Sequence, residues 1–282
     1  MNVGILGLGL MGASFAMALR RARPDLVLAG SDPDAETMHR AIARGLVEPG
    51  EPRTADVVVL AVPIAAMPDV LAGLAGRGGV VTDMASTKVH VMRWAAAAEV
   101  DLVGGHPMCG RERQGIDAAD PDMFQGAPWV VTRDEPRVTE LVRAVGATPV
   151  VMDPERHDRL VAGVSHSAFM LSAAYVLALA GGADWPAMQR VAGPGFRDMS
   201  RLAAGDPELY AAIASTNRDG IAESLRAVEA SLARLRRHLE AGDGRLVELL
   251  EEARRARARW AGGPEAPASA GAAGADLAGG ER

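Results

Sequence analysis

The segment Asn2–Ser14, NVGILGLGLMGAS, leaves the chain few ways to begin folding. A short apolar run leads into Gly7, Gly9 and Gly12, spaced G-x-G-x-x-G, and LMGASFAMALRRA continues with apolar residues at helical spacing. Glycines at this spacing permit a tight strand-to-helix turn and close backbone approach to a pyrophosphate at the helix N-terminus. The next apolar run, LVLAGSD, ends on Asp32, 20 residues beyond Gly12. An acid there can accept hydrogen bonds from ribose hydroxyls. The stretch therefore predicts a dinucleotide site built from Gly7, Gly9, Leu10, Met11, Gly12 and Asp32. Asp32 and Asp34, with no arginine directly following, favour NAD over NADP, since a 2′-phosphate would meet negative charge. NADP stays open if Asp32 serves only to cap the helix starting near Asp34.

The alternation continues to residue 152. DVVVLAVP, GGVVTDM, DLVGG, PWVVTR and TPVVMD read as buried strands, separated by helical patterns such as DAETMHRAIARG and STKVHVMRWAAAAE. Continuous apolar strands alternating with helices predict an α/β fold with a doubly wound parallel sheet. Residues 1–152 thus read as an NAD-binding Rossmann domain. Val62 and Pro63, at the end of DVVVLAVP, join the cofactor edge. Residues 153–260 read as all-helical. The stretch ERHDRLVAGVSHSAFMLSAAYVLALA is too apolar for a surface helix and belongs in a bundle or subunit interface. Residues 261–282, rich in Gly, Ala and Pro without an apolar face, read as a disordered tail.

Composition narrows the partners. A net charge of −6 argues against a nucleic-acid partner. A single cysteine, Cys109, cannot form an internal disulfide or by itself a zinc site, and no metal is expected. The first strand begins at Asn2, and no run of uninterrupted apolar residues approaches the roughly 18–20 of a membrane span, so the chain reads as cytoplasmic. Of 30 basic residues only Lys88 is lysine, which directs attention to its surroundings.

Four further segments carry chemistry. DMASTK ends a strand with Ser86, which alone reads equally well as a helix cap. GGHPMCGRERQG delivers His106 at a strand end. HDRLVAGVSH holds His157, Asp158 and His166, and GFRDMSRLA holds Arg197, Asp198 and Arg201. Ligands bind at the carboxyl edge of such sheets, where Ser86 and His106 fall. His157 reads as a cap or hinge between the halves. Arg197 either meets substrate or pairs with Asp198.

Together with GLGLMGAS, these segments resemble, in order, the prephenate and arogenate dehydrogenase family of tyrosine biosynthesis, from Asn2 to about Tyr210. The resemblance implies oxidative decarboxylation of a cyclohexadienol, with hydride transfer from ring C4, loss of the C4 hydroxyl proton to a base, and release of CO₂. It also implies roles. His106 is the general base, and an imidazole suits that work near pH 7. Ser86 bonds near the same hydroxyl and the nicotinamide. Arg201 meets a substrate carboxylate, Glu112 and Asp158 pair with or gate around it, and His166 lies in the substrate pocket. A homodimer through the helical half is implied as well.

The sequence departs from the family at one place. Where the family reads Ser-His-Leu-Pro-His, this chain reads Ser165-His166-Ser167-Ala168-Phe169, so phenylalanine replaces a second histidine that helps hold the substrate side chain. Prephenate, arogenate and an amino-substituted prephenate stay open as substrates, and a dinucleotide-binding regulator without turnover is the alternative outside catalysis. Hydroxyacid dehydrogenases are disfavoured, since they rely on a lysine in the helical half and this chain has none there.

Overall fold

A computed structural model describes residues 1–111 and 113–262. Its first strands and helices are β1 (Asn2–Leu6), α1 (Leu10–Ala22), β2 (Val27–Ser31), α2 (Ala35–Ala43), β3 (Val57–Leu60), α3 (Met67–Ala72), β4 (Val80–Asp83), α4 (Val89–Ala97) and β5 (Leu102–Val103). The five strands form one parallel sheet in the order β2-β1-β3-β4-β5. Every residue of β3 and β4 is buried, as expected for strands covered on both faces. Asp34 caps α2, its carboxylate accepting from Thr37 N at 3.0 Å.

The remaining strands depart from a single doubly wound sheet. DLVGG splits into β5 and β6 (Gly105–Pro107), and β6 joins β7 (Pro128–Val131) and β8 (Thr148–Val151) in a separate three-stranded sheet. β6 runs antiparallel to β7, pairing His106 with Val130, while β7 and β8 are parallel. The cause lies at Gly104 and Gly105. Gly105 N donates to Asp83 Oδ1 at 2.8 Å, and Thr132 N donates to Gly104 O at 2.9 Å. A Cβ on Gly105 would stand 2.3 Å from Asp83 O, so the strand ends can approach this closely only with glycine here. Helix α5 (Pro136–Ala144) lies between β7 and β8 in the chain. A shared core under α1 holds Phe15, Phe124 and Trp129, with ring centroids 5.2–6.0 Å apart.

From Pro154 the described chain is helical: α6 (Pro154–Val161), a π turn (Ala162–His166), α7 (Ser167–Ala180), α8 (Trp185–Val191), α9 (Pro194–Ser200), α10 (Pro207–Thr216), α11 (Arg218–Ala241) and α12 (Arg245–Ala261). The chain divides into two compact units, one spanning Met1–Ser231 and one starting at Leu232. Residues 263–282, most of the expected tail, lie outside the described residues.

One helix bears on the expectation that no uninterrupted apolar run approaches the length of a membrane span. The continuous helix Pro154–Ala180, 27 residues with a mean hydropathy of 1.6, is long and apolar enough to cross a membrane by length and composition. Serine, glycine, tyrosine and histidine interrupt its apolar run, but its charged residues crowd into the first turns, which leaves the rest uncharged. About a third of its most apolar window, 33%, is buried within the protein.

Candidate active site

The carboxyl ends of β1, β3 and β4 bring the predicted cofactor residues to one edge. Gly7 adopts φ +90°, a conformation open mainly to glycine, and a Cβ on Gly12 would lie 1.9 Å from Gly7 O. The turn is thus closed by glycine against glycine, while the space where a Gly9 Cβ would stand is empty to 4 Å. That open face, with the N-terminus of α1 behind it, fits a pyrophosphate. Leu10, Met11, Val62 and Ser86 are half-buried around this edge, and Pro63 is exposed. Asp32 braces the loop: its carboxylate accepts from Leu8 N at 2.7 Å and from Asp34 N at 2.9 Å. The helix cap is Asp34, not Asp32. The half-exposed Asp32 carboxylate keeps acceptor capacity for a ribose hydroxyl.

Three side chains from two distant segments meet at β6. His106 Nδ1 lies 2.8 Å from His157 Nε2, and His157 Nδ1 lies 2.8 Å from Asp158 Oδ1. His157 is entirely buried, and His106 and Asp158 nearly so. The reading of His157 as a cap or hinge therefore gives way to a place inside the site. Asp158 is engaged at the start of α4. Its two oxygens accept from Lys88 N at 2.7 Å and Val89 N at 2.9 Å, across the N-terminus of α4, which has no side-chain cap of its own. A carboxylate is favoured at that end of a helix.

Lys88 is fully buried. Its ammonium donates to the Asp83 carboxylate and the Gly105 carbonyl, tying the end of β4 to the start of β6. Burial lowers its pKa, opposed by the adjacent Asp83. The lone lysine is thus a brace holding the strand that carries His106.

The helical half closes the site. His166 ends the π turn, a helix irregularity frequent at functional sites. Asn217 Nδ2 donates to Asp158 O at 2.7 Å and approaches His166 Nδ1 at 3.2 Å, while His166 Nε2 is buried without a hydrogen-bond partner. Thr87 Oγ1 donates to Thr216 Oγ1 at 2.9 Å, anchoring the end of α10 against the loop that carries Ser86. Phe169 is buried and lies flat on Tyr210, with centroids 3.4 Å apart and planes 7° from parallel. Arg197 is exposed on α9, and Arg201 is exposed at the start of the turn Arg201–Ala204. Glu112 lies outside the described residues.

The electrostatics favour neutral imidazoles. His106 is held well below the usual histidine value, chiefly by burial and then by His157, Lys88 and His166. Burial pushes His166 down to about 4, against the pull of Asp158. Burial also raises the Cys109 thiol to about 12, which keeps it an inert packing residue. A neutral imidazole beside a nucleotide-binding edge can take a proton from a substrate hydroxyl. His157, Asn217 and Tyr210 escaped the sequence reading as site members. The His157-Asp158 dipeptide was the available signal.

A nucleotide-binding α/β half, a helical half and a buried neutral histidine where they meet define a two-part dehydrogenase. The chain belongs to the prephenate dehydrogenase family: its nucleotide-binding domain model matches residues 15–148 and its dimerization domain model residues 153–252. The glycine loop lies just upstream of the first matched interval. Prephenate dehydrogenase of Lactococcus lactis subsp. cremoris is 29% identical over 268 residues, covering 90% of this chain and 75% of that one. Among solved structures, Synechocystis arogenate dehydrogenase is 32% identical with a TM-score of 0.79, covering 92% of this chain and 100% of that one. Prephenate dehydrogenase from Aquifex aeolicus, solved with hydroxyphenyl propionate and NAD+, is 26% identical with a TM-score of 0.86, covering 92% and 98%.

Proposed function

We propose that the chain catalyses NAD-dependent oxidative decarboxylation of prephenate or arogenate, yielding 4-hydroxyphenylpyruvate or tyrosine, with His106 as general base. The observation that carries this reading is the buried His106 imidazole, held low in pKa, on a strand braced by Lys88 to the end of β4. The relatives' stated substrates and the NAD+ held by the Aquifex aeolicus enzyme support the choice of reaction and cofactor.

Gly7, Gly9, Leu10, Met11 and Gly12 would hold the pyrophosphate, Asp32 the ribose, and Val62, Pro63 and Ser86 the nicotinamide side. When bound, NAD+ supplies the acceptor for the hydride from ring C4. His106 takes the C4 hydroxyl proton and Ser86 orients that hydroxyl. Arg201 meets a substrate carboxylate, Arg197 assists it, Glu112 pairs with or gates around Arg201 as the family resemblance implies, and His166 faces the ring. Deprotonation at oxygen pushes electrons toward C4, and loss of the ring carboxylate as CO₂ leaves an aromatic ring. Residues 1–152 form the nucleotide half. Residues 153–260 form the helical half, which pairs with a second copy through its exposed apolar residues, among them Val164, Leu177 and Val191.

A second reading, oxidation of an amino-substituted prephenate, is favoured by Phe169 standing where the family has a histidine. The test offers prephenate, arogenate and the amino-substituted compound in turn with NAD+ and with NADP+, and follows reduced cofactor. Reduction with prephenate or arogenate and NAD+ is expected. No reduction with any of the three would leave the protein a nucleotide-binding regulator.

A further inference from the structure

We propose that Asp158 and His157 are positioning residues that fix the tautomer and orientation of His106, so that its Nε2 carries the lone pair that accepts the substrate proton. The inference rests on the reading of His106 as the base and names what makes it one. The argument runs outward from Asp158, whose oxygens already accept two backbone N–H groups at the start of α4. Its third contact, to His157 Nδ1 at 2.8 Å, is then a hydrogen bond from Nδ1–H. A neutral His157 protonated at Nδ1 presents a lone pair at Nε2. That lone pair faces His106 Nδ1 at 2.8 Å, which must therefore hold the proton. Nδ1–H on His106 leaves Nε2 unprotonated.

The opposite arrangement needs His157 doubly protonated, donating from Nε2, with His106 protonated at Nε2 and useless as a base. That cation would be fully buried, would face a large desolvation cost, and would share an Asp158 carboxylate already engaged by two backbone N–H groups. His166, from the π turn, and Asn217 Nδ2, donating to the Asp158 carbonyl, complete the surroundings. The two rings meet edge to face, at 76° with centroids 5.0 Å apart, so His157 restricts the swing of His106 as well as its protonation.

The test reads the tautomer directly, by imidazole nitrogen NMR shifts of the ¹⁵N-labelled full chain at neutral pH, with His106→Asn identifying the His106 signals. Protonated Nδ1 and unprotonated Nε2 on His106 are expected. Asp158→Ala, which removes the acceptor that fixes the His157 Nδ1 proton, should shift His106 toward the Nε2–H form. It should also lower kcat by about 10²–10⁴-fold with KM and NAD+ affinity nearly unchanged. Should that variant fold poorly, His157→Gln and His157→Leu decide. A glutamine amide can accept from His106 and donate to Asp158, so it should keep at least about tenfold more kcat than leucine and the wild-type acid limb of the pH profile. Nε2–H on wild-type His106, or glutamine no better than leucine, would overturn the proposal. If the wild type reduces cofactor with none of the substrates, the proposed reaction falls, while the nitrogen shifts still decide the tautomer.

Discussion

Phe169 and Tyr210 lie face to face, 3.4 Å apart and 7° from parallel, at the position where the family carries a second histidine. The stack replaces a hydrogen-bonding group with an apolar wall from α7 and α10. Phe169→His should therefore alter recognition of the substrate side chain more than chemistry. The ratio of KM for prephenate and arogenate is expected to move by about tenfold or more while kcat stays within about tenfold. Steady-state kinetics with both substrates check this, and an unchanged KM ratio would remove Phe169 from the recognition surface.

His106→Asn keeps a polar side chain on β6 but removes the proposed base. The expected loss in kcat is about 10²–10⁴-fold, with NAD+ affinity by calorimetry close to wild type. Loss of cofactor binding instead would make the residue structural.

Gly105→Ala would place a Cβ 2.3 Å from a backbone oxygen of β4, which no side-chain rotation relieves. The strand carrying His106 must shift. Destabilisation of roughly 1–3 kcal/mol is expected in denaturant unfolding, together with a fall in kcat. Full activity at wild-type stability would contradict the close approach of β4 and β6.

Both buried imidazoles resist protonation, so pH should act in one direction. In the unfolded chain they take up protons near the ordinary value of 6.5, whereas folding holds His166 at about 4 and His106 well below 6.5. Below pH 6.5 the unfolded state binds more protons, and stability falls with pH until the folded groups titrate. For His166 the full difference is about 3 kcal/mol. Urea unfolding between pH 7.5 and 4.5 should show the decline, shallower in His166→Asn. The acid limb of kcat/KM should likewise lie below pH 6.5, and a limb above that value would refute a depressed His106.

Leu177 on α7 and Val191 on α8 are 72% and 82% exposed, too apolar to face water in a lone subunit without consequence. Arginine at either position should shift sedimentation from dimer to monomer. A wild type that sediments as a monomer would remove the pairing.

The glycine loop, the strand ends at Val62 and Ser86, and the location of His106 could be read from the chain because each is local: an apolar run, a turn signal and a helix follow one another within a dozen residues. The second sheet could not. DLVGG looks like one strand, and what breaks it is Asp83, a side chain from the preceding strand that captures Gly105 N. His157 was misjudged for a related reason. A histidine near a helix start is ordinary, and its meaning depends on His106, 51 residues away in the chain. The π turn before α7 leaves no mark in a pattern of apolar spacing, yet it carries His166.

The burial of Lys88 has a use beyond the fold. As the chain's only lysine it is the only side-chain amine, and it is sealed between β4 and β6. Amine-directed reagents will find no lysine on the intact molecule and will reach this one only when the brace opens. Acylation of Lys88 then becomes a clock for opening of the strand that carries His106, read by mass as an addition on the peptide that holds Lys88, apart from any on the Met1 α-amine.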